Sequence, residues 1–592
     1  MSDGFDVLEP LPLYRDVYRD AFAANAEKFF DDLTAKAGVD AAANAETVAE
    51  LRKTESALAH EESARAGWGW GIALSSIAAI GSALGSANYF TIGGEDAVTW
   101  GAGLAAIAIL AAALLFGVCV PRRREHAKAA EEHKAKAEEQ KAVAWSQMAP
   151  LNALFDWDIP ARIIEKTVPL IRFDPFFTQG RLGELHKFYG WDDAFNNNKS
   201  VLGAHSGEIN GNPFVFARLL QMEWGEKTYS GSRTVSWTET ERGPDGKLRR
   251  VTRYQTLTAT VTKPFPEYSQ DVLLIYGNDA APNLCFSREP TGLSSSGDGF
   301  FSKMRLKREI RSLEKFSRNL DDDKGYTIMG NREFEALFQT KDRSDEVEYR
   351  LLFTPLAQKQ MLELIKDSKV GYGDDFSFLK VCKINVIRAS HLAQSDLNAD
   401  PAKFADYDFE AARKKFLDFC AQFFKSTWFA MAPLLSIPLY SQTRTHENIY
   451  KDVLDHRSCF WEHEALANYM GEERFRNPES VTRNILKTYV SGRNGDIASI
   501  NVTASGFRIE HRVDTVIVVA RNGVPYRVDV PWDEYIAVSR TTPISATERE
   551  GLTLPEFRGA VQTNQEWQHF FRNIGSDPAG AIYRRSIISS QP

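Results

Sequence analysis

The densest set of side chains able to do chemistry lies between Thr445 and Glu464: His446, Glu447, Asp455, His456, Cys459, Glu462, His463 and Glu464. On a helix, His456, Cys459 and His463 share one face at spacings of three and four. Imidazole and thiolate could then meet a metal ion, with Glu462 or Glu464 as a further ligand or as a base. The order differs from His-Glu-x-x-His, because no histidine stands four before another with Glu between them. The same residue types cap and pack ordinary helices, and that plainer reading is favoured. No cofactor is implied.

A second candidate is electrostatic. Between Phe301 and Leu320, Lys303, Arg305, Lys307, Arg308, Arg311, Lys315 and Arg318 stand against only Glu309 and Glu314. Phe301, Met304, Ile310, Leu313 and Phe316 add a partial apolar stripe. A basic amphipathic helix can dock on an anionic leaflet, at about 1 kcal/mol per basic residue near the surface. The simpler alternative is a stripe facing the core with a solvated basic back.

Other chemistries find less support. The run Gly292 to Gly299 lacks the Gly-Lys-Ser/Thr ending of a phosphate loop, and no Gly-x-Ser-x-Gly elbow marks a nucleophile. The net charge of −8, with Phe316 the one aromatic between Lys303 and Arg318, argues against nucleic acid. Five scattered cysteines, Cys119, Cys285, Cys382, Cys420 and Cys459, include no C-x-x-C pair. They fit reduced thiols better than a disulfide framework or a zinc site.

The elements that must position these groups begin with a membrane anchor. Ala66 to Gly94 and Ala97 to Pro121 are free of charge and are split only by Glu95 and Asp96. Each exceeds the roughly 20 residues that span a bilayer. Trp68, Trp70, Tyr89 and Trp100 fall near the span ends, where interfacial aromatics belong. Arg52, Lys53 and Arg65 precede the first span, and Arg122, Arg123, Arg124 and Lys128 follow the second. The loop between, Asn88 to Thr99, has no basic residue. The positive-inside rule therefore places both termini in the cytoplasm, with the spans in the cell (inner) membrane. Gly67-x-x-x-Gly71 and Gly81-x-x-x-Gly85 permit close helix approach, within the hairpin or between copies of the chain.

Around the anchor the composition is that of strong helix formers. Residues 1–20 read as extended. The helical stretch from Ala21 to Arg65 breaks at Gly38, and a second runs from Arg122 to Met148, closed by Pro150. These form a helical stalk; a coiled coil is compatible, but strict heptads are not evident. Beyond Leu151 the pattern becomes mixed. Thr234 to Glu239 and Arg253 to Val261 alternate about a Gly243-Pro-Asp-Gly246 turn. Asp271 to Tyr276, Glu348 to Phe353 and Phe376 to Ile387 read as strands, Pro355 to Lys366 and Ala402 to Phe429 as helices. The uncharged Ser426 to Thr443 reads as buried core. A meander of Ser499–Thr503, Phe507–His511, Asp514–Ala520 and Pro525–Val530 has Asn522-Gly523 as a hairpin turn. The expected architecture is α+β. Residues 1–65 form a first stalk segment, 66–121 the transmembrane hairpin and 122–150 the second stalk helix. Two cytoplasmic mixed modules with antiparallel sheets follow, at 151–395 and 396–592.

The run Asn331 to Pro355, followed by Met361 to Ile365, resembles a bacterial family of membrane-anchored proteins of unknown function. That family pairs a transmembrane hairpin with a cytoplasmic domain. The segment Gly207-Glu-Ile-Asn-Gly-Asn-Pro-Phe-Val-Phe216 is similar to its Gly-x-Ile-x-Gly element. The similarity covers about residues 195–390 and implies an anchor and a topology, but no catalytic residues. The C-terminal module is larger here than the family pattern.

Taken together, these features point to a membrane-anchored cytoplasmic scaffold or interaction protein. Its partners would be the bilayer, an unknown protein, and other copies of the chain through the spans and stalk. A membrane-tethered, metal-assisted hydrolase is the first alternative, and a sensor of anionic lipid the second.

Overall fold

The computed structural model describes residues 9–92, 95–242, 244, 247–294, 300–318, 326–443, 457–494, 497–548, 582–583 and 587–590. The chain forms two compact units. A helical unit comprises Lys28–Phe155 and Pro401–Asp418, and an α/β unit comprises Met1–Glu27, Asp156–Asp400 and Phe419–Pro592.

The first helices are α1 (Arg19–Ala37), α2 (Ala41–Ile92), α3 (Glu95–Leu114) and α4 (Val120–Asn152). Gly38, at φ +64°, ends α1 where the sequence places a break. A π-helical turn at Leu115–Cys119 joins α3 to α4. Helices α2 and α4 run antiparallel: His126 meets Glu61 at 2.6 Å, Gln140 meets Glu50 at 3.4 Å, and Gln147 meets Thr47 at 3.0 Å. Ala130, Ala137, Ala144 and Leu151 are buried along α4 at seven-residue spacing, where small side chains admit close backbone approach.

Further along the pair, glycines do the same work. A Cβ on Gly71 would lie 3.5 Å from the Cys119 sulfur, and one on Gly85 would lie 3.2 Å from Leu104. Ser86 Oγ donates to the Gly101 carbonyl at 2.8 Å. Nothing lies within 4 Å of a Cβ on Gly67 or Gly81. The most apolar windows of the two helices are only 11% and 6% buried. Trp70, Leu74, Ile77, Ile109, Leu110 and Phe116 all point outward. A soluble core helix hides its apolar residues, so this outward display is what a lipid solvent would favour. The chain thus carries two helices long and apolar enough to cross a bilayer, as a two-pass membrane protein does.

The α/β unit is built on two antiparallel sheets. Its strands are β1 (Ile171–Phe173), β2 (Lys199–Ile209), β3 (Asn212–Arg242), β4 (Leu248–Gly277), β5 (Cys285–Arg288), β6 (Phe376–Val381) and β7 (Ile384–Ala389). These make one sheet in the order β1-β2-β3-β4-β7-β6-β5. The second sheet has the order β11-β12-β10-β9-β8. It comprises β8 (Ile485–Asn494), β9 (Ile497–Val519), β10 (Pro525–Glu548), β11 (Ile582–Tyr583) and β12 (Ile587–Ser590). One core joins them: Trp157, Val215, Leu273, Trp461, Leu486, Ile500 and Ile544 belong to the same buried cluster. Residues from 151–395 and from 396–592 therefore share one hydrophobic interior.

Further helices are α5 (Ile159–Thr167), α6 (Gln179–Tyr189), α7 (Phe300–Arg318), α8 (Arg332–Phe338), α9 (Glu346–Leu352), α10 (Pro355–Lys366), α11 (Phe409–Leu435) and α12 (Phe460–Met470). Residues 426–437 are buried throughout, as expected of a core segment.

Three local expectations change. Glu348 to Phe353 is helical, within and just beyond α9. The Asp345 carboxylate accepts from Val347 N at 2.9 Å and Glu348 N at 2.8 Å, and this cap outweighs the strand-like composition. The region Pro10 to Asp20 is helical rather than extended. Tyr14, Tyr18 and Phe22 recur every four residues and pack on Phe424, Trp428 and Phe429. The short strands of the C-terminal meander fuse into the long β9 and β10, registered residue for residue from Ile497 to Val519.

Candidate interaction site

The lengths of β3 and β4 create the first notable surface. Strand β2 pairs with β3 only as far as Gln221, and β7 pairs with β4 only from Leu274 onward. Beyond that, β3 and β4 continue as a ribbon paired to Arg242 and Leu248. About 20 residues at about 3.3 Å each give an arm of roughly 70 Å. A two-stranded ribbon is marginal alone, and this one packs on the β9–β10 ribbon. Val235, Leu257, Ala259, Val528 and Val530 form a core of their own between the two layers. Lys263 pairs with Asp514 at 2.6 Å and lies 4.2 Å over the Trp532 ring. The Gly231 backbone fits so closely that a Cβ there would sit 2.1 Å from the Asp529 carbonyl oxygen. On the outer face of β9, alternate residues Val513, Ile517 and Val519 are 62–67% exposed.

At the base of β2 the register shifts between Val201 and Gly203, a bulge that displaces Leu202. Beside it opens a cavity of about 360 Å³, walled by Trp157, Phe216, Tyr469, His205, Arg218 and Asn468. Trp157 and Tyr469 meet edge to face at 5.2 Å. His205 Nε2 lies 3.0 Å from the Leu397 carbonyl oxygen, and the Arg218 guanidinium donates to the Ser395 carbonyl. Apolar walls with a few fixed polar groups suit a small molecule or one inserted side chain. None of these residues stands out in the sequence, because the bulge and the loop Ser395–Asn398 that assemble them are tertiary features.

The described members of the His–Cys–Glu region hold this architecture. Cys459 is the N-cap residue of α12, and its backbone N–H donates to Phe177 O at 3.1 Å. Glu462 Oε1 accepts from Phe177 N at 2.7 Å. Glu464 accepts from Val201 N at 3.0 Å and from Lys487 Nζ at 3.1 Å. His463 Nε2 lies 2.8 Å from Ser458 Oγ, and burial pushes its pKa down to about 4, with Arg493 adding to the shift. Among the described residues, no three His, Cys, Asp or Glu side chains are placed to hold a metal ion. His446, Glu447, Asp455 and His456 lie outside the described residues. A single turn further along α12, Asn468 Nδ2 donates to Ser200 Oγ at 2.7 Å and to Val201 O at 2.8 Å. Helix α12 thus pins both backbone groups of Val201 at the bulge.

Helix α7 carries the basic set. Glu309 and Glu314 pair away from the helix, with Lys341 at 3.2 Å and Arg332 at 2.8 Å. Arg305, Lys307, Arg308, Arg311, Lys315 and Arg318 are exposed and form no ion pair among the described residues. Leu313 is buried, while Met304 and Phe316 remain exposed. The side chain of Lys303 lies outside the described residues.

No family model, curated protein or solved structure matches this chain. The resemblance over residues 195–390 therefore gains no support from relatives.

Proposed function

We propose that the chain is a membrane-anchored interaction protein, with the α/β unit as its binding part. The observation that carries this reading is the two-layered β arm, a long surface with its own small core and an exposed Val513–Ile517–Val519 row. Such a row on a protruding element fits a docking surface better than a fold requirement. The basic residues flanking the spans favour a cytoplasmic placement of both termini in the inner membrane. The second copy of the chain is the first partner to test, since Gly67 and Gly81 leave room on the spans for another helix.

Native mass spectrometry of the full-length protein, released gently from its own membrane, tests the proposal. A defined oligomer or a stoichiometric protein partner is expected, the oligomer lost in a Gly67→Leu, Gly81→Leu variant and the partner in an Ile517→Asp, Val519→Asp variant. A monomer without partner overturns it. A retained metal would redirect attention to the hydrolase alternative and to His446–Glu464.

The lipid-sensing alternative has one observation in its favour, the exposed basic face of α7, which makes no ion pair among the described residues. Docking on vesicles rich in anionic lipid should weaken at least tenfold on Arg308→Glu, Arg311→Glu exchange, measured by flotation of the full chain in nanodiscs of neutral lipid. Equal flotation of both proteins rejects it.

A further inference from the structure

Two cysteines that are 97 residues apart in sequence meet at one corner of the first sheet: Cys285 Sγ lies 3.9 Å from Cys382 Sγ. Cys285 opens β5, registered against Val381 of β6. Cys382 follows at once in the β6–β7 turn, and its N–H donates to Leu284 O at 3.1 Å. Closing the sulfurs from 3.9 Å to the roughly 2.05 Å of a disulfide is a movement of about 2 Å between residues held side by side at the end of the β5–β6 ladder. Cys382 is the first residue of a two-residue hairpin turn at φ +53°, a position that favours glycine. A cysteine in that strained place, opposite a second one, is an unusual use of the residue. Cys382 is exposed and Cys285 partly so, whereas Cys119, Cys420 and Cys459 are buried.

A cation stands beside the pair. Lys380 is fully buried, with Nζ bonded to Cys382 O at 2.6 Å and Ala280 O at 3.1 Å. Burial pushes its pKa down to about 8, and the two thiols and Glu348 act against that shift. The Cys382 thiol is itself pushed up by burial and by Cys285. Lys380 is therefore the group that favours a thiolate here.

We propose that Cys285 and Cys382 form a reversible disulfide, making this corner a site of oxidation by hydroperoxides. One thiolate attacks a peroxide oxygen; the O–O bond breaks, giving a sulfenic acid and, from hydrogen peroxide, water once a proton is taken up. The second thiolate attacks the sulfenic sulfur and expels hydroxide, which leaves as water. Two thiols lose two electrons and two protons, and one peroxide is reduced to two waters. A dithiol reverses the step. The crosslink ties β5 to the β6–β7 turn next to Lys380.

The test treats the full-length protein in detergent with hydrogen peroxide, then alkylates it and maps peptides by mass. A Cys285–Cys382 linked peptide is expected, removed by dithiothreitol, with the three buried cysteines still reduced. In Cys382→Gly, which suits the positive φ, the link should vanish and a sulfenic acid at Cys285 should become trappable by dimedone. Lys380→Met should slow linkage severalfold. Both cysteines remaining alkylatable after peroxide, or oxidised separately without linkage in the wild type, overturns the proposal.

Discussion

His463 offers a pH-dependent prediction that separates a structural α12 from a metal-binding or catalytic one. Its ring is 1% exposed, Nε2 is taken by Ser458, and Nδ1 has no hydrogen-bond partner among the described residues. Protonation would bury a charge and add an N–H without an acceptor. The folded pKa is accordingly about 4, against about 6.5 in an unfolded chain. Because the folded value is the lower one, the unfolded state binds more protons between these limits. Stability from this residue is present above about pH 6.5 and is lost as pH falls toward 4. Linkage gives a loss of about 2 kcal/mol between about pH 7 and pH 4.5, on the order of tens-fold more frequent opening of the region. The assay is native-state hydrogen exchange of the Phe460–Met470 amides in full-length protein, comparing wild type with His463→Gln. Glutamine can still meet Ser458 but cannot titrate, so the wild type should lose about 2 kcal/mol more than the variant across that range. Parallel pH trends in the two proteins would refute the reasoning.

Three further outcomes follow from the packing. Arg343 lies inside the α8–α9 corner, bonded to Glu335 at 3.0 and 3.1 Å and to Glu346 at 2.6 Å, with the Tyr326 and Tyr349 rings each 4.2 Å away. Arg343→Met strands the buried Glu335 and should destabilise by about 3–5 kcal/mol in denaturant unfolding, with partial recovery in an added Glu335→Gln change. Asn468→Ala removes bonds to Ser200 and Val201 and should speed amide exchange at Val201–Gly203 by about tenfold or more, without altering the helical unit. Gly231→Val drives a side chain into the Asp529 carbonyl, so the β9–β10 ribbon should lose exchange protection and gain protease sensitivity. Unchanged protection there would mean that the two ribbons do not depend on each other.

The features readable without coordinates are those written in local composition. Charge-free runs of span length need no partner to be recognised, and Ala66–Thr91 and Val98–Pro121 lie within the two long helices. The hairpin through Val235 and Leu257 and the Asn522-Gly523 turn were equally visible, since alternation and turn chemistry are short-range signals. Helix α9 is also written locally: Asp345 three residues ahead of Glu348 is a capping pattern, and it outranks β-like composition over so short a stretch. The Asn210-Gly211 turn, with φ +53° and +82°, likewise marks the β2–β3 hairpin plainly.

The sites belong to another level. The cavity walls come from α12, β2, β3 and separate loops, and they converge because one residue of β2 is left over at Leu202. A bulge shifts which side chains share a face, and no periodicity announces it. The thiol pair depends in the same way on the register of β5 against β6, which no spacing rule connects. Glu462, His463 and Glu464 carry side chains able to do chemistry, yet they sit where backbone groups of Phe177 and Val201 and the Ser458 hydroxyl need partners in a dry core. Buried polar residues on a short helix are therefore ambiguous until the needs of the backbone around them are known. Here those needs account for the contacts to Phe177, Val201 and Ser458, and among the described residues the arm, the bulge cavity and the basic helix remain as surfaces for binding.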